Sequence, residues 1–206
     1  RDRGIGEAFA PEHHVAAARA LSVGSTPLAD RQPELVAHHY SQAGAHADAV
    51  HHWREAGMRA MAGAAFIEAA DHFARGVYDI ENLAPSDERD RTLVELLTYL
   101  GACRQAGYGY AATGVGEIYA RARSECGRLG SLTQLLSVIR GQYLFHCVHA
   151  DYATGLDLAD EMLSMGRQND DRRTLVEAHL YGGLGHMYLA NFASSRSHFE
   201  QVIELY

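Results

Sequence analysis

Lysine is absent. All 18 basic residues are arginine, they stand against 26 acidic ones, and the formal net charge over 206 residues is -8. A phosphate-tracking surface needs clustered positive charge. The arginines are scattered along the chain, with close pairs such as Arg121/Arg123 and Arg172/Arg173 but no longer cluster, so nucleic acid is not an expected partner. Without lysine a Walker-type phosphate loop is impossible, and no G-x-x-x-x-G-K-[ST] occurs. Cysteine is scarce and odd in number. Cys103, Cys126 and Cys147 stand far apart without a C-x-x-C, which signals neither a zinc knuckle nor a disulfide framework. Each falls on or near the apolar stripe of an expected helix, where a reduced thiol packs as a small hydrophobe. No apolar run reaches the roughly 18 residues that a bilayer span requires, and no signal-peptide pattern is present. We therefore expect a cytoplasmic protein without membrane contact. The chain opens on Arg1 and closes on "EQVIELY", inside an expected helix, and it reads as a piece of something longer.

Proline is also rare, with Pro11, Pro27, Pro33 and Pro85 only, so little after Pro33 interrupts a helix except Pro85. The apolar spacing predicts helices over 33–43, 46–62, 65–83, 87–106, 114–129, 131–149, 151–168, 171–190 and 192–206, with Gly, Asn, Asp or Ser at the joints. Such short joints make neighbouring helices antiparallel.

Glycine, by contrast, is plentiful. Gly107, Gly109 and Ala112 in "GYGYAATG" have the spacing of the G-x-G-x-x-G/A dinucleotide fingerprint, which works only when a strand feeds the glycine turn. Leu93, Leu96, Leu97, Leu100 and Cys103 precede it at helical spacing. Ser86 with Asp87, Glu88 and Asp90 resembles a helix start, where carboxylates suit the positive end of the dipole. The segment therefore reads as a helix end, with Gly107 or Gly109 taking the left-handed conformation. No nucleotide site is expected.

Internal repetition decides the architecture. Gly127-Arg128 in "SECGRLGS" recurs as Gly166-Arg167 in "LSMGRQND". "HADYATGLDLADEML" returns as "LANFASSRSHFEQVI", Tyr152 answers Phe192, and Gly141 answers Gly182. The period of about 40 residues is that of a two-helix repeat. In "LVAHHYSQAGAHADAVHHWREA", Tyr40, Gly44, Ala49, Trp53 and Ala56 have the spacings of a tetratricopeptide repeat. Ala49 lets two helices approach, while Tyr40 and Trp53 fill the space beside that contact. Ala69, Phe73 and Gly76 repeat the small-large-small series, as do Ser195, Phe199 and Val202. The expected fold is all-α, a right-handed α-solenoid of antiparallel helical hairpins over 33–206. Residues 1–32 form an N-terminal linker or helix, the possible end of a preceding winged-helix part.

These residues resemble the C-terminal tetratricopeptide-like region of large bacterial signalling proteins. There, a class III adenylate/guanylate cyclase or a transcription-regulator module is joined to an AAA-type signal-transduction ATPase. One family segment, P-E-L-L-A-x-H-Y-x-x-A-G, is matched by Pro33-Glu34-Leu35-Val36-Ala37-His38-His39-Tyr40-Ser41-Gln42-Ala43-Gly44. A second and more specific block is matched by Gly109-Tyr110-Ala111, Val115, Tyr119, Arg121-Ala122-Arg123, Cys126 and Leu129-Gly130. Residues 1–32 match poorly, because "HHVAAARALSVGSTPLAD" departs from the family's short link. The resemblance implies a non-catalytic regulatory array whose ATP site lies upstream. Its partner is a protein or peptide, or its own ATPase and output domain.

Thirteen histidines are the strongest competing signal. Folding a hairpin about Ala45 sets His39 near His51 and His38 near His52, a possible metal site and the basis of an alternative reading as a ligand- or metal-sensing domain. The other metal and catalytic signatures sought, H-E-x-x-H, a paired E-x-x-H, a His-Asp dipeptide and G-x-S-x-G, are missing. We expect no catalytic residue and no cofactor. What remains is surface, since the first helices of such an array face its groove. His38, Gln42, Arg140, Tyr143, His179 and His186 are the groove candidates. The last helix is expected to leave Phe192, Phe199, Val202 and Ile203 uncovered, which favours self-association through an array end.

Overall fold

The computed structural model describes residues 10–21, 32–109, 112–129 and 131–206. Among them every regular element is a helix: α1 Pro11–Leu21, α2 Pro33–Gln42, α3 His46–Ala62, α4 Phe66–Glu81, α5 Asp87–Tyr108, α6 Val115–Leu129, α7 Leu132–Val148, α8 Tyr152–Gln168, α9 Arg172–Tyr188 and α10 Phe192–Leu205. The chain is thus all-α, and the helices from α2 onward lie within two residues of the bounds read from apolar spacing. It divides into two compact units, 1–107 and 108–206. In the first, α1 packs on α2, α2 on α3 and α3 on α4; in the second, α6 to α10 pack in the same sequential manner.

Local chemistry explains where these helices start. Pro33 occupies the first turn of α2, where its missing N–H costs nothing. The Ser86 hydroxyl accepts from the Arg89 N–H at the head of α5. Asp151 accepts from Thr154 N–H, and Asp171 accepts from the N–H groups of Arg173 and Thr174. These caps satisfy donors that the first turn leaves open.

The ends are more uniform than the sequence suggests. Gly44, Ala64, Ala150, Asp170 and Ala190 all take a left-handed φ between 51° and 71°. They recur at 44 and 64 and again at 150, 170 and 190, a spacing of 20 residues. After each, an N–H returns to a carbonyl five residues back: Ala45 to Tyr40, Ala65 to Ala60, Asp151 to His146, Asp171 to Gly166 and Asn191 to His186, all at 2.8–2.9 Å. This is the Schellman closure. Only the first of these turns has the glycine that the motif prefers. At the end of α5 it is Gly109 that has positive φ. Gly107 instead remains helical and lies where an added Cβ would meet the Ile67 backbone nitrogen at 3.0 Å.

Close approach at glycine recurs inside both units. A Cβ on Gly57 would meet the Phe73 ring at 2.5 Å, one on Gly141 the Tyr119 ring at 2.2 Å, and one on Gly183 the Phe199 ring at 2.6 Å. An aromatic ring laid on bare backbone brings neighbouring helices together without a void. Tyr40 packs with buried Ala37, Ala49 and Trp53 in one cluster, and Ala56 is buried on the same helix.

Candidate functional site

In the first unit α2, α3 and α4 enclose an open groove of about 410 Å³, lined by His38, Ser41 and Gln42 of α2, Trp53 of α3, and Ala74, Arg75, Tyr78 and Asp79 of α4. Helical spacing presents His38, Ser41 and Gln42 on one face of α2. Arg75 and Tyr78 are spaced likewise on α4, and Tyr78 is 63% exposed. The Arg75 guanidinium stands 5.2 Å from the centre of the Trp53 ring and pairs with Asp71 at 2.8 Å, so a cation and an aromatic face are held together at the rim.

The floor is a carboxylate with no exposure to solvent, Asp79. Its Oδ2 accepts from Trp53 Nε1 at 2.9 Å. Its Oδ1 accepts from the Ser41 hydroxyl at 3.0 Å and lies 2.6 Å from His46 Nδ1. One buried side chain therefore joins all three helices, as a buried carboxylate must be hydrogen-bonded to be tolerated. Serine, histidine and aspartate meet here, but not as a nucleophile relay. Such a relay runs from Ser to His to Asp, whereas Ser41 and His46 both end on Asp79 and no base is left for the hydroxyl. The constellation braces the groove.

Sequence reasoning placed His38 and Gln42 in a groove without its floor. Asp79 has a readable signal: it lies three residues after Gly76 on the stripe Ala69, His72, Phe73, Gly76 and Ile80, all buried. A lone carboxylate on an apolar stripe asks for partners, but not which ones.

The other groove candidates go elsewhere. Arg140 Nε donates to Glu177 Oε1 at 2.6 Å, and the Tyr181 hydroxyl donates to the same oxygen at 2.9 Å. The Tyr143 hydroxyl donates to the Tyr181 carbonyl at 2.8 Å, and the two rings stack with centroids 4.1 Å apart. Arg140 and Tyr143 thus join α7 to α9. His179 and His186 both stand beside His198 of α10.

The histidine hairpin is rearranged as well. His39 Nδ1 faces His14 Nδ1 of α1 at 2.9 Å, not His51. His38 lines the groove, and Tyr40, rather than His38, stacks on His52 with ring centroids 5.7 Å apart. His51 and His52 share Glu55 on α3, at 3.5 and 3.2 Å, and the ligand atoms of these three lie within 4.8 Å of one another. His51 and Glu55 are largely exposed, so water competes for their ligand atoms, while His52 is half-buried. Burial lowers the proton affinity of His52, and neighbouring His51 adds to this against the opposing pull of Glu55.

A second cleft of about 610 Å³ lies between α3, the end of α4 and α5, lined in part by Arg54, Arg89 and Glu95. The Arg54 fork donates twice to Glu95 Oε1, at 3.1 and 2.7 Å, and Arg89 pairs with Asp90. Both of its arginines are thus paired with carboxylates. Burial pushes Cys103 up to about 11, raises Cys126 in spite of Arg123 and raises Cys147, so none of the three thiols is activated. No helix among the described residues is long and apolar enough to cross a membrane.

The chain matches no family model and no curated protein. Among solved structures it is similar to the crystal structure of BtubC (BKLC) from P. vanneervenii, with 14% identity, a TM-score of 0.42, and coverage of 96% of this chain and 91% of that one.

Proposed function

We propose that this chain is a non-catalytic helical-repeat module, a solenoid of antiparallel hairpins of the tetratricopeptide kind, that binds a protein or peptide and regulates a larger bacterial signalling protein. The observation that carries the reading is the α2–α4 groove. It is open, it offers an aromatic side chain, an arginine, an imidazole and an amide at its rim, and its floor is fixed by a carboxylate whose partners come from all three helices. Rigid, mixed polar and aromatic surfaces of this sort bind extended segments with little ordering cost on the receptor side. The recurrence of the same turn at 20-residue spacing supports the repeat architecture. The resemblance of Pro33–Gly44 and Gly109–Gly130 to the ATPase-linked signalling family supports the regulatory context. In that context a partner that prefers one docked state biases the attached domains by its differential affinity.

A photo-crosslinker placed at Tyr78 tests the groove. On this reading it captures the upstream ATPase domain or a peptide partner, and Arg75→Glu removes the capture, while the same crosslinker at exposed Met187, in the other unit, captures nothing. Equal capture from both positions would sink the groove as the binding surface. ATPase and cyclase assays of the chain alone are expected to be blank, and turnover that survives repeated purification would overturn the non-catalytic reading.

A further inference from the structure

We propose that His179, His198 and His186 form a binding site for a borderline divalent transition ion of the zinc class, bracing α9 to α10. His179 Nδ1 and His198 Nδ1 face each other at 3.2 Å. Two imidazole nitrogens on one tetrahedral zinc, each about 2.0–2.1 Å from it, stand about 3.3 Å apart, so the pair already has the bite of two ligands. His179 is 9% exposed, and its ring centroid is 5.1 Å from that of His198. The His186 ring is 5.4 Å from that of His198, and its Nδ1 is buried without a hydrogen-bond partner. This buried, unpartnered ring nitrogen is the third ligand of the proposed site, and it reaches the His179/His198 pair only by rotation of the His186 side chain.

The backbone makes room for this. His179 and His186 lie on one face of α9 with Gly182 between them. A Cβ on Gly182 would meet His198 Cε1 and Nδ1 at 2.6 Å, so the ring from α10 lies against bare backbone at the centre of the trio. Burial, and for each a neighbouring imidazole, lower the proton affinity of His179 and His198, which leaves them in the neutral form that metals require. Of the charges nearby, Asp160 favours a cation and Arg167 opposes it. Imidazole donors suit zinc, copper and nickel and disfavour calcium and magnesium. The fourth position falls to water. A bound ion would fix α10 to α9 across their joint and stabilise the folded chain in proportion to its occupancy.

Zinc titration of the protein by calorimetry, with cobalt absorption as a second readout, tests the assignment against the His51/His52/Glu55 group. One ion per chain is expected, with a tetrahedral cobalt spectrum. His179→Gln and His198→Gln should each weaken binding by more than the roughly 10–100-fold that loss of an outer partner of a metal ligand costs. Gly182→Ala should weaken it too by displacing His198, and the His51→Gln/His52→Gln double variant should leave it unchanged. If circular dichroism shows that a variant at buried His179 does not fold, partly exposed His186→Gln carries the test, through weaker affinity and an altered cobalt spectrum. Absence of zinc binding, or loss of it only in the His51→Gln/His52→Gln variant, would overturn the proposal.

Discussion

Removing the Asp79 carboxylate should cost more than any other single polar change in the first unit. Asp79→Ala leaves Trp53 Nε1–H without its 2.9 Å acceptor, on a side chain that is 2% exposed and that water reaches poorly. An orphaned buried donor costs about 1–3 kcal/mol. Ser41 and the 24%-exposed His46 also lose their acceptor, but partial hydration reduces each loss to about 0.5 kcal/mol. The sum is about 2–4 kcal/mol, a large share of the roughly 5–15 kcal/mol that a domain has in total. Asp79→Asn, with one acceptor retained, should fall near half of that.

Urea unfolding, followed by tryptophan fluorescence where Trp53 is kept and by circular dichroism where it is replaced, measures this directly, because Trp53 is the sole tryptophan and reports on the same site. A second variant pair distinguishes a polar brace from simple packing. Asp79→Leu alone should be strongly destabilising, whereas Asp79→Leu combined with Trp53→Phe removes both ends of the most deeply buried bond. The combination should recover stability beyond additivity, since replacing a whole buried polar pair by apolar groups is far less costly than breaking it. A loss below about 1 kcal/mol for Asp79→Ala, or strict additivity in the double variant, would refute the claim that Asp79 braces α2, α3 and α4.

Three further outcomes follow from other features. Ala64→Gly, Ala150→Gly and Ala190→Gly should each stabilise by up to about 1 kcal/mol, because the left-handed conformation costs a residue with a Cβ about 1–2 kcal/mol while glycine gives back part of that as unfolded-state entropy. Unchanged or lowered urea midpoints for all three would contradict the shared turn geometry. Burial lowers the proton affinities of His39, His52, His179 and His198 below the ordinary 6.5, so below that pH the unfolded chain binds more protons. Stability should therefore be full above about pH 6.5 and decline as pH falls through the folded values. The decline should be shallower in His179→Gln/His198→Gln; Asp151 and Asp171, both held below 3.8, do not contribute in that window. Finally, Phe192 and Ile203 of α10 are 68% and 75% exposed, and sedimentation should show concentration-dependent association that Phe192→Ser/Ile203→Ser abolishes; a monomer at all concentrations would remove this expectation.

Helix bounds were legible because an apolar stripe, a cap and a breaker are local, and each leaves its residue types in order along the chain. The small-large-small series likewise singles out Phe73 and Phe199 as packing residues, but the bare backbone each ring meets, at Gly57 and Gly183, comes only from the structure, and Phe199 is partly buried there instead of uncovered. The histidines show where this ends. A hairpin argument paired His39 with His51, but a third helix, α1, supplies His14 instead. His38, one residue earlier, turns into a groove that also needs α4. Arg140 and Tyr143 look like surface in sequence and are taken up by Glu177 and Tyr181, more than thirty residues away.

Composition, periodicity and breakers therefore determined by themselves that the chain is helical and where its helices lie from Pro33 onward. Only the tertiary structure decided that Asp79 gathers Ser41, His46 and Trp53, and that His198 lands beside both His179 and His186. The physical reason is that a stripe specifies which face of a helix leaves water, while the neighbour that meets that face depends on crossing geometry and on close approaches such as those at Gly57 and Gly182, which no local pattern records.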